Sequence, residues 1–299
     1  MKEMTLRAYA KINLHLDVTS KLDNGYHGVR TVMQTVSLCD EVTVSLCEGG
    51  DISIECDVDW VPTDRKNLAW RAADSFFERC GFRKGVNIRI VNRIPAAAGL
   101  AGGSTDAAAV FMALNELCGN PLEKNELLEL AAKLGADVPF CIAGGAKYAD
   151  GFGEKLHAFP KLPNCYFVVA VGHEGVSTPW AYKMLDEKYE NFDKEVYSPK
   201  SLSGLMTAVD SGDISKLAEN IYNIFEGVIE PERAEVAQIK RELLNSGAVG
   251  AMMSGSGPSV FGMFVNENEA ILAAERLREK GISAFAAEPV YPETEYLDF

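Results

Sequence analysis

Apolar and polar residues alternate near the start of the chain, and a period of two is typical of a β-strand with two different faces. The apolar face is Ile12, Leu14, Leu16 and Val18, and the polar face is Lys11, Asn13, His15 and Asp17. The chain then reads Asp-Asn-Gly at 23–25, which indicates a turn. Further strand-like stretches have their apolar residues at Val32, Val36, Val42, Val44, Ile52 and Ile54.

The first helical pattern begins near Asn67, a favourable N-cap residue, and stops at Gly81. A strand is predicted next, at 86–90. The remaining helices are predicted over about 107–117, 123–134, 177–189, 200–228, 231–245 and 267–280. The remaining strands are predicted over about 165–171, on either side of Ser254, and over 282–287.

This order of elements predicts an α+β protein with two lobes. The break between them is expected near 155–163, where Gly153, Pro160 and Pro163 interrupt the pattern. We therefore predict an N-terminal domain over 1–158 and a C-terminal domain over 159–299. The sequence shows no internal repeat.

The composition is that of a soluble globular protein, since 47% of the 299 residues are hydrophobic and 24% are charged. No stretch reaches the roughly 18 apolar residues of a membrane span. The first residues lack the apolar core of a signal peptide. We therefore expect a cytoplasmic protein without a membrane partner.

The seven cysteines are scattered and form no C-x-x-C pair, which disfavours both a thiolate metal site and a disulfide scaffold. Buried free thiols are the expectation. The formal net charge of −14 disfavours a nucleic-acid partner. An acidic protein that binds phosphate needs a local positive field, and the N–H groups at the start of a helix can supply one.

The most informative segment is 95–106, which reads Pro-Ala-Ala-Ala-Gly-Leu-Ala-Gly-Gly-Ser-Thr-Asp between a strand and an apolar helix. Its small residues allow backbone N–H groups to approach a phosphate closely, and Ser104 and Thr105 offer hydroxyl groups. The alternative is an ordinary turn in which Ser104 or Thr105 caps the helix. The segment has neither the lysine of a Walker A loop nor a G-x-G-x-x-G pattern.

Two further segments carry candidate chemistry. The first, 135–140, reads Gly-Ala-Asp-Val-Pro-Phe and places Asp137 just past a helix end, where it could be a base or only a capping residue. The second, 253–259, is a glycine-rich turn that by itself would be no more than a hairpin loop.

Together the three segments resemble the three motifs of the GHMP kinases, the family of galactokinase, homoserine kinase and mevalonate kinase. The resemblance covers essentially the whole chain. It is closest to the branch that phosphorylates a cytidine-diphosphate-linked methylerythritol on the non-mevalonate route to isoprenoid precursors. The matching segments are 10–14, 25–27, 67–68, 93–95, 135–140 and 175–178.

The resemblance implies a ribosomal-protein-S5-domain-2-like N-terminal lobe, a ferredoxin-like C-terminal lobe and substrates between them. It also implies that Asp137 accepts the proton of the substrate hydroxyl, with Lys11 beside it. A neighbouring ammonium would keep a carboxylate ionised and could stabilise a developing alkoxide or the γ-phosphate. From position alone, Lys11 could equally be a solvated surface lysine. Two alternative functions stay open. The chain could phosphorylate a simpler acceptor alcohol, or it could be a sensor that binds a ligand without catalysis.

By the same resemblance, ATP lies along 95–105 with its adenine near Asn67 and Arg93. Magnesium is expected to arrive with ATP, held mainly by phosphates rather than by a protein cage. The full set of ATP-binding candidates is Asn67, Arg93, Ile94, Pro95, Ala96, Ala97, Ala98, Gly99, Leu100, Ala101, Gly102, Gly103, Ser104 and Thr105.

The cytidine end is expected to stack on Tyr26, with Tyr182 as a second ring and His27 bonded to the polar edge of the base. Without the resemblance, Tyr26 and His27 would only be residues of a turn. The full set of substrate-binding candidates is Asn13, Tyr26, His27, Thr178, Tyr182, Gly255, Ser256 and Gly257.

The chain departs from the family pattern at three positions. Thr105 stands where many relatives have serine, which keeps the hydroxyl. Lys147 and Phe152 replace what are usually a small residue and an arginine, so contacts from 144–154 cannot be carried over. The expected partners are small molecules, and the expected assembly is a monomer or homodimer.

Overall fold

The computed structural model describes residues 2–22, 25–190, 192 and 197–292. Asp23 and Asn24, the first two residues of the predicted turn at 23–25, lie outside the described residues. The strands are β1 Glu3–Lys21, β2 His27–Cys47, β3 Ile52–Cys56, β4 Gly85–Val91, β5 Ala146–Asp150, β6 Lys155–Ala158, β7 Tyr166–Val171, β8 Tyr222–Asn223, β9 Gly250–Met253, β10 Val260–Phe264 and β11 Ser283–Ala287. The helices are α1 Leu68–Cys80, α2 Gly102–Leu117, α3 Lys124–Leu134, α4 Val138–Ala143, α5 Thr178–Lys188, α6 Ser203–Ser211, α7 Ile214–Glu219, α8 Glu226–Ile229, α9 Ala234–Asn245 and α10 Glu267–Glu279.

The first sheet is built around β1 and β2, two long strands that pair antiparallel. Its strand order is β3-β4-β2-β1-β8, with β5 pairing to β2 and to β6. The β1–β2 register shifts at three places, one of them just before Lys11 and one just after Asn13. Such bulges re-aim side chains locally. Helices α1 to α4 pack over this sheet around fully buried Phe76 and Phe111.

Both faces of β1 are buried over 10–18. Lys11 is 4% exposed and Asn13 2%, while His15 and Asp17 are also buried. The alternative that Lys11 is a solvated surface lysine is therefore wrong. Buried charges and amides require partners. Lys11, Asn13 and Asp17 have hydrogen-bond partners, whereas His15 Nε2 has none among the described residues.

The second sheet is antiparallel, with strand order β11-β7-β10-β9. Helices α9 and α10 pack against it, and their buried residues include Ile239, Leu243 and Leu277. This sheet with its helices is the C-terminal lobe, and the α+β class is confirmed.

The prediction of one helix over 200–228 is wrong. The chain instead forms α6, α7 and α8, separated by Gly212 in a left-handed conformation and by β8. β8 is only two residues long, yet it pairs parallel to β1 through His15 and Leu16. A pairing with a distant strand is not visible in local periodicity, so the local pattern alone predicts a helix.

Two other boundaries differ from the prediction. α2 begins at Gly102 instead of residue 107, so the helix starts inside the segment 95–106, hereafter the glycine-rich segment. α4 was not predicted, because six residues are too few for a helical period to show. Both differences move helix starts next to candidate site residues.

All strands up to Ala158 belong to the first sheet, and those from Tyr166 onward belong to the second, except β8. The division at 158 and 159 itself stays a prediction. All seven cysteines are free, as expected, but only Cys165 is buried. Within the described ranges, no helix is both long and apolar enough to cross a membrane.

Candidate active site

A cavity of about 920 Å³ collects most of the predicted site residues. Its walls come from β1, the glycine-rich segment, the start of α5 and the turn that follows β9. Residues from both lobes therefore face a common space, and such clefts are the usual place for a small-molecule site.

The glycine-rich segment turns sharply before it enters α2. Ala97, Gly99 and Ala101 all have positive φ values, of 51°, 77° and 62°. Ala101 is the N-cap of α2 and provides no side-chain hydrogen bond. The alternative in which Ser104 or Thr105 caps this helix is therefore wrong. The first N–H groups of α2 remain available to an anion, and the helix dipole favours one there.

Lys11 and Asp137 meet on the cavity wall, with Nζ and Oδ2 3.7 Å apart. The Lys11 ammonium also donates to Asn13 Oδ1 at 2.7 Å. Asp137 is at the N-cap position of α4, but its side chain accepts no capping hydrogen bond, and 38% of it is exposed. Its carboxylate is thus paired with a buried ammonium and open to a ligand.

Asn13 fixes the Lys11 side chain within a buried chain of hydrogen bonds. Its Nδ2 donates to Thr31 Oγ1 at 2.8 Å, and that hydroxyl donates to the His15 carbonyl at 2.8 Å. The Asn13 backbone N–H donates to Ser254 Oγ at 3.2 Å. Asn13 thus holds the Lys11 ammonium and also lines the cavity, and its role in substrate binding stays a prediction.

The glycine-rich segment packs directly against the turn after β9. A Cβ added to Gly99 would lie 2.4 Å from the Ser254 carbonyl oxygen, and one added to Gly255 would lie 2.9 Å from the Gly99 oxygen. Ser259 N–H also donates to the Ala98 carbonyl at 3.3 Å. The two glycine-rich motifs therefore form one backbone-to-backbone contact that only residues without a side chain permit.

His27 and Tyr182 also lie together on the cavity wall, with ring centroids 4.6 Å apart and planes inclined by 25°. His27 Nε2 is 2.7 Å from Asp186 Oδ1, and Lys21 Nζ is 2.6 Å from Asp186 Oδ2. Burial raises the pKa of Asp186, but the bonds from Lys21 and His27 outweigh it and leave that pKa below its ordinary value. An ionised Asp186 thus holds the His27 ring in place.

Tyr26 differs from His27 in being 63% exposed, and its ring centroid lies 5.7 Å from that of Phe152. Both rings line the cavity. The expectation that the base stacks on Tyr26 with Tyr182 as a second ring stays a prediction; in this structure one ring neighbour of Tyr182 is His27. Tyr26, Phe152 and the 66% exposed Trp60 all offer aromatic surface to the cavity.

Most of the predicted binding residues line the cavity, but three do not. Thr105 is 3% exposed and lies on a different face of α2 from Ser104. Arg93 is exposed, and its backbone N–H donates to Asp40 Oδ1 at 2.5 Å. Gly257 packs against Met253. The predicted residues that line the cavity are Lys11, Asn13, Tyr26, His27, Asn67, Ile94, Pro95, Ala96, Ala97, Ala98, Gly99, Leu100, Ala101, Gly102, Gly103, Ser104, Asp137, Thr178, Tyr182, Gly255 and Ser256.

Asn67 is placed at the cavity but has both ends of its side chain occupied. Oδ1 accepts from Ala69 N–H at 2.8 Å as the N-cap of α1, and Nδ2 donates to the Pro62 carbonyl at 2.6 Å. It therefore positions the 60–67 segment, which brings Trp60 to the cavity wall.

Sequence reasoning missed several cavity residues, notably Asp106, Trp60 and Asp186. Asp106 follows the phosphate-type motif directly and could have been noticed as a carboxylate in an apolar helix. Asp186 shows no local signal, because it meets His27 across 159 positions of the sequence. The described residues contain no group of three or more His, Cys, Asp or Glu side chains that could hold a metal ion.

Comparison with known proteins agrees with this geometry. The model of the GHMP kinase N-terminal domain matches residues 67–145, and that of the C-terminal domain matches 205–283. Together they cover more than half of the chain, which therefore belongs to the GHMP kinase family.

The names of the similar relatives are more specific than the family name. The 4-diphosphocytidyl-2-C-methyl-D-erythritol kinase of Acetivibrio thermocellus is 43% identical over 97% of this chain and 100% of that protein. The enzyme of the same name from Geobacter sulfurreducens is 41% identical over 96% of this chain and 98% of that protein.

Solved structures give the same picture. A crystal structure of 4-(cytidine 5'-diphospho)-2C-methyl-D-erythritol kinase superposes with a TM-score of 0.81 at 32% identity, covering 96% of this chain and 100% of that one. Homoserine kinase from Cytophaga hutchinsonii superposes with a TM-score of 0.71 at 22% identity, over 97% of this chain and 95% of that one. The second likeness concerns the fold alone.

Proposed function

We propose that this chain transfers the γ-phosphoryl group of ATP to the 2-hydroxyl of 4-diphosphocytidyl-2-C-methyl-D-erythritol, a step in non-mevalonate isoprenoid precursor biosynthesis. The observation that carries the proposal is the Lys11–Asp137 pair, 3.7 Å apart on the wall of the shared cavity. Relatives that match nearly the whole chain are kinases of this compound by name.

The phosphates of ATP bind along 95–104. The open N–H groups at the start of α2 and the Ser104 hydroxyl face the same cavity and offer donors to phosphate oxygens. This gives an acidic protein a local positive field without a cluster of cationic side chains. Magnesium arrives with the nucleotide, and its charge offsets that of the phosphates.

Asp137 accepts the proton of the acceptor hydroxyl as the phosphoryl group is transferred. Its carboxylate is open to the cavity, and its Oδ2 lies 3.7 Å from the Lys11 ammonium. An ammonium has three N–H groups. Lys11 is held on one side by Asn13, and it can present its charge to the incoming γ-phosphate.

The cytidine end of the acceptor binds at the far side of the cavity. Tyr26 and Phe152 offer the accessible ring surfaces for stacking on the base. His27 has Nε2 directed to Asp186, which leaves the other edge of its ring for the ligand. In this proposal Tyr182 supports His27 from behind rather than stacking on cytosine. Thr178 and Ser256, whose hydroxyl oxygens are 2.9 Å apart, bound the acceptor site between the lobes.

The proposal is tested by ADP release from ATP and magnesium with a panel of acceptors. The panel is 4-diphosphocytidyl-2-C-methylerythritol, free methylerythritol, homoserine, galactose and mevalonate. Turnover with the cytidylyl compound alone is expected. Turnover with a different acceptor would keep the catalytic pair but refute the substrate, and no turnover at all would favour a ligand sensor. Asp137→Asn, run in parallel, excludes a contaminating kinase.

Cytoplasmic location and a monomeric or homodimeric assembly remain proposals from the sequence. Gel filtration with light scattering measures the assembly directly.

A further inference from the structure

The chain returns from the C-terminal lobe to the N-terminal sheet after β11. There it runs along β2, where the Ser37 N–H donates to the Glu288 carbonyl at 2.9 Å and the Glu288 N–H donates to Ser37 Oγ at 3.0 Å. Val36 and Pro289 form an antiparallel bridge beside these bonds. We call residues 288–292 the strap. Through the strap, the C-terminal lobe is hydrogen-bonded to the sheet that contains β1.

The strap fills a gap along one edge of β2. β5 pairs with this edge only as far as Gln34, and β4 pairs with it only from Glu41 onward. An unpaired stretch of strand edge leaves backbone N–H and C=O groups without ladder partners. The strap supplies partners in the part of β2 that follows Gln34. The C-terminal lobe therefore completes the N-terminal sheet at this place.

Thr35 connects the strap to Lys11. The Val290 N–H donates to the Thr35 carbonyl at 2.9 Å. Gln34 Nε2 donates to the same carbonyl at 2.7 Å and to the Val290 carbonyl at 3.3 Å. Thr35 is the residue opposite Lys11 in the β1–β2 ladder. A displacement of the strap would therefore move the backbone beside Lys11.

The strap also contacts the end of α4, the helix that follows Asp137. Gly144 is the C-cap of α4, and a Cβ added to it would lie 2.8 Å from Pro292 Cγ. The carbonyl of the next residue, Gly145, accepts a hydrogen bond from the Thr35 N–H at 2.9 Å. Because α4 has only six residues, a contact at its last turn also constrains Asp137 at its first.

The hydroxyl group of Tyr291 fixes the strap to both of its neighbours. It donates to Gln34 Oε1 at 3.1 Å and accepts from the Leu162 N–H at 2.7 Å. Gln34 is fully buried in the first sheet, and Leu162 lies in the connection between β6 and β7. Burial raises the pKa of Tyr291 to about 12, so the hydroxyl keeps its proton at neutral pH and remains a donor.

We propose that Tyr291 is a positioning residue, and that the strap it fixes sets the geometry of Lys11 and Asp137 for phosphoryl transfer. The proposal rests on the proposed function, which gives this pair its role. The pair comes from two elements, β1 and the start of α4, and its separation of 3.7 Å depends on how those elements are placed. Phosphoryl transfer relies mainly on positioning and charge. The strap bears on both elements, so the C-terminal lobe helps to place a pair that lies in the N-terminal lobe.

Tyr291→Phe tests the proposal, because it removes only the hydroxyl group. We expect kcat for ADP release with 4-diphosphocytidyl-2-C-methylerythritol to fall about 10-fold, since small displacements of reacting groups are costly. The KM values for ATP and for the acceptor should change by about 2-fold or less, because none of the five strap residues lines the cavity.

Two further variants accompany it. Tyr166→Phe on β7 is the matched control, because the Tyr166 hydroxyl has no hydrogen bond to another described residue, and its kcat should be that of the wild type. Pro292→Ala removes the ring that packs against Gly144 at an exposed position, so kcat should fall by about 3-fold or more in a protein that still folds. Thermal unfolding of each variant checks the fold.

A double variant separates positioning from a general structural role. If Tyr291 acts through the Lys11–Asp137 pair, its loss should matter little once Asp137 has been replaced. Tyr291→Phe combined with Asp137→Asn should therefore have a kcat within about 2-fold of that of Asp137→Asn alone. A defect elsewhere in the protein would multiply instead and lower kcat by about 10-fold again.

The outcomes separate the strap from the function on which it rests. Wild-type kcat in folded Tyr291→Phe and Pro292→Ala proteins would overturn the positioning role and leave the kinase function standing. Equal losses from Tyr291→Phe in the wild-type and Asp137→Asn backgrounds would do the same. If the wild type releases no ADP with any acceptor, the proposed function fails, and the role of the strap fails with it.

Discussion

The contact between Gly99 and the Ser254 carbonyl gives the sharpest test of how the site is assembled. Gly99 has φ +77°, and a Cβ there would lie 2.4 Å from the Ser254 oxygen. A non-glycine residue in the left-handed region costs about 1–2 kcal/mol. Overpacking against a neighbour costs about 1–3 kcal/mol more. Gly99→Ala should therefore lower the free energy of unfolding by about 2–5 kcal/mol.

Gly119 provides a matched control, because it has φ +84° but no atom within 4 Å of an added Cβ. Gly119→Ala carries the conformational cost alone, about 1–2 kcal/mol. The difference between the two variants measures the interlobe contact. At about 2 °C per kcal/mol for a chain of this size, Gly99→Ala should unfold about 2–6 °C below Gly119→Ala.

The same substitution should also affect the nucleotide. If the backbone near Gly99 moves to relieve the contact, the N–H groups of the segment lose their alignment with the phosphates. We expect the KM for ATP to rise about 10-fold or more in Gly99→Ala and to stay unchanged in Gly119→Ala. Equal unfolding midpoints in the two variants, with a wild-type KM for ATP in both, would refute the reasoning.

Three further predictions concern single side chains. Asp137→Asn should lower kcat by about 10²-fold or more, which is the effect expected for loss of a general base, with little change in ATP affinity. The control is Asp74→Asn, at the exposed ion pair of α1. Unchanged turnover in Asp137→Asn would remove that residue from the mechanism. Tyr26→Ala should weaken the cytidylyl acceptor by about 1–3 kcal/mol and spare ATP, as for other base–aromatic stacks; equal losses for both ligands in calorimetry would mean a structural role. Burial lowers the pKa of His15 to about 4 from 6.5, so the unfolded chain takes up a proton more readily than the folded protein. The free energy of unfolding should therefore fall as the pH drops from 6.5 to 4, by up to about 3 kcal/mol. His15→Gln should flatten that dependence in denaturant titrations, whereas His173→Gln, 76% exposed, should leave it as in the wild type.

The local sequence pattern predicted much of the fold. The helix from Asn67 to Gly81 follows from a capping side chain and a left-handed glycine, both of which act within a few residues. The strands of the second sheet follow from short apolar runs between turns. Such features depend on neighbours in the chain, so the sequence alone was enough to predict them.

The sequence also determined the types of residue that the chemistry needs. A run of small residues before a helix indicated a phosphate site, and the family resemblance identified Lys11 and Asp137 as a pair. The structure has them in contact at 3.7 Å. Their roles in phosphoryl transfer stay predictions that the variants above test.

Which polar groups are buried, and which of them meet, depends on the tertiary structure. The alternation in β1 could not show that both of its faces are covered, because β8 and the C-terminal lobe come from more than 150 residues later. The same holds for Asp186 with His27 and for Tyr291 with Gln34. Contacts between distant segments depend on how whole lobes pack, and no local period or propensity records that.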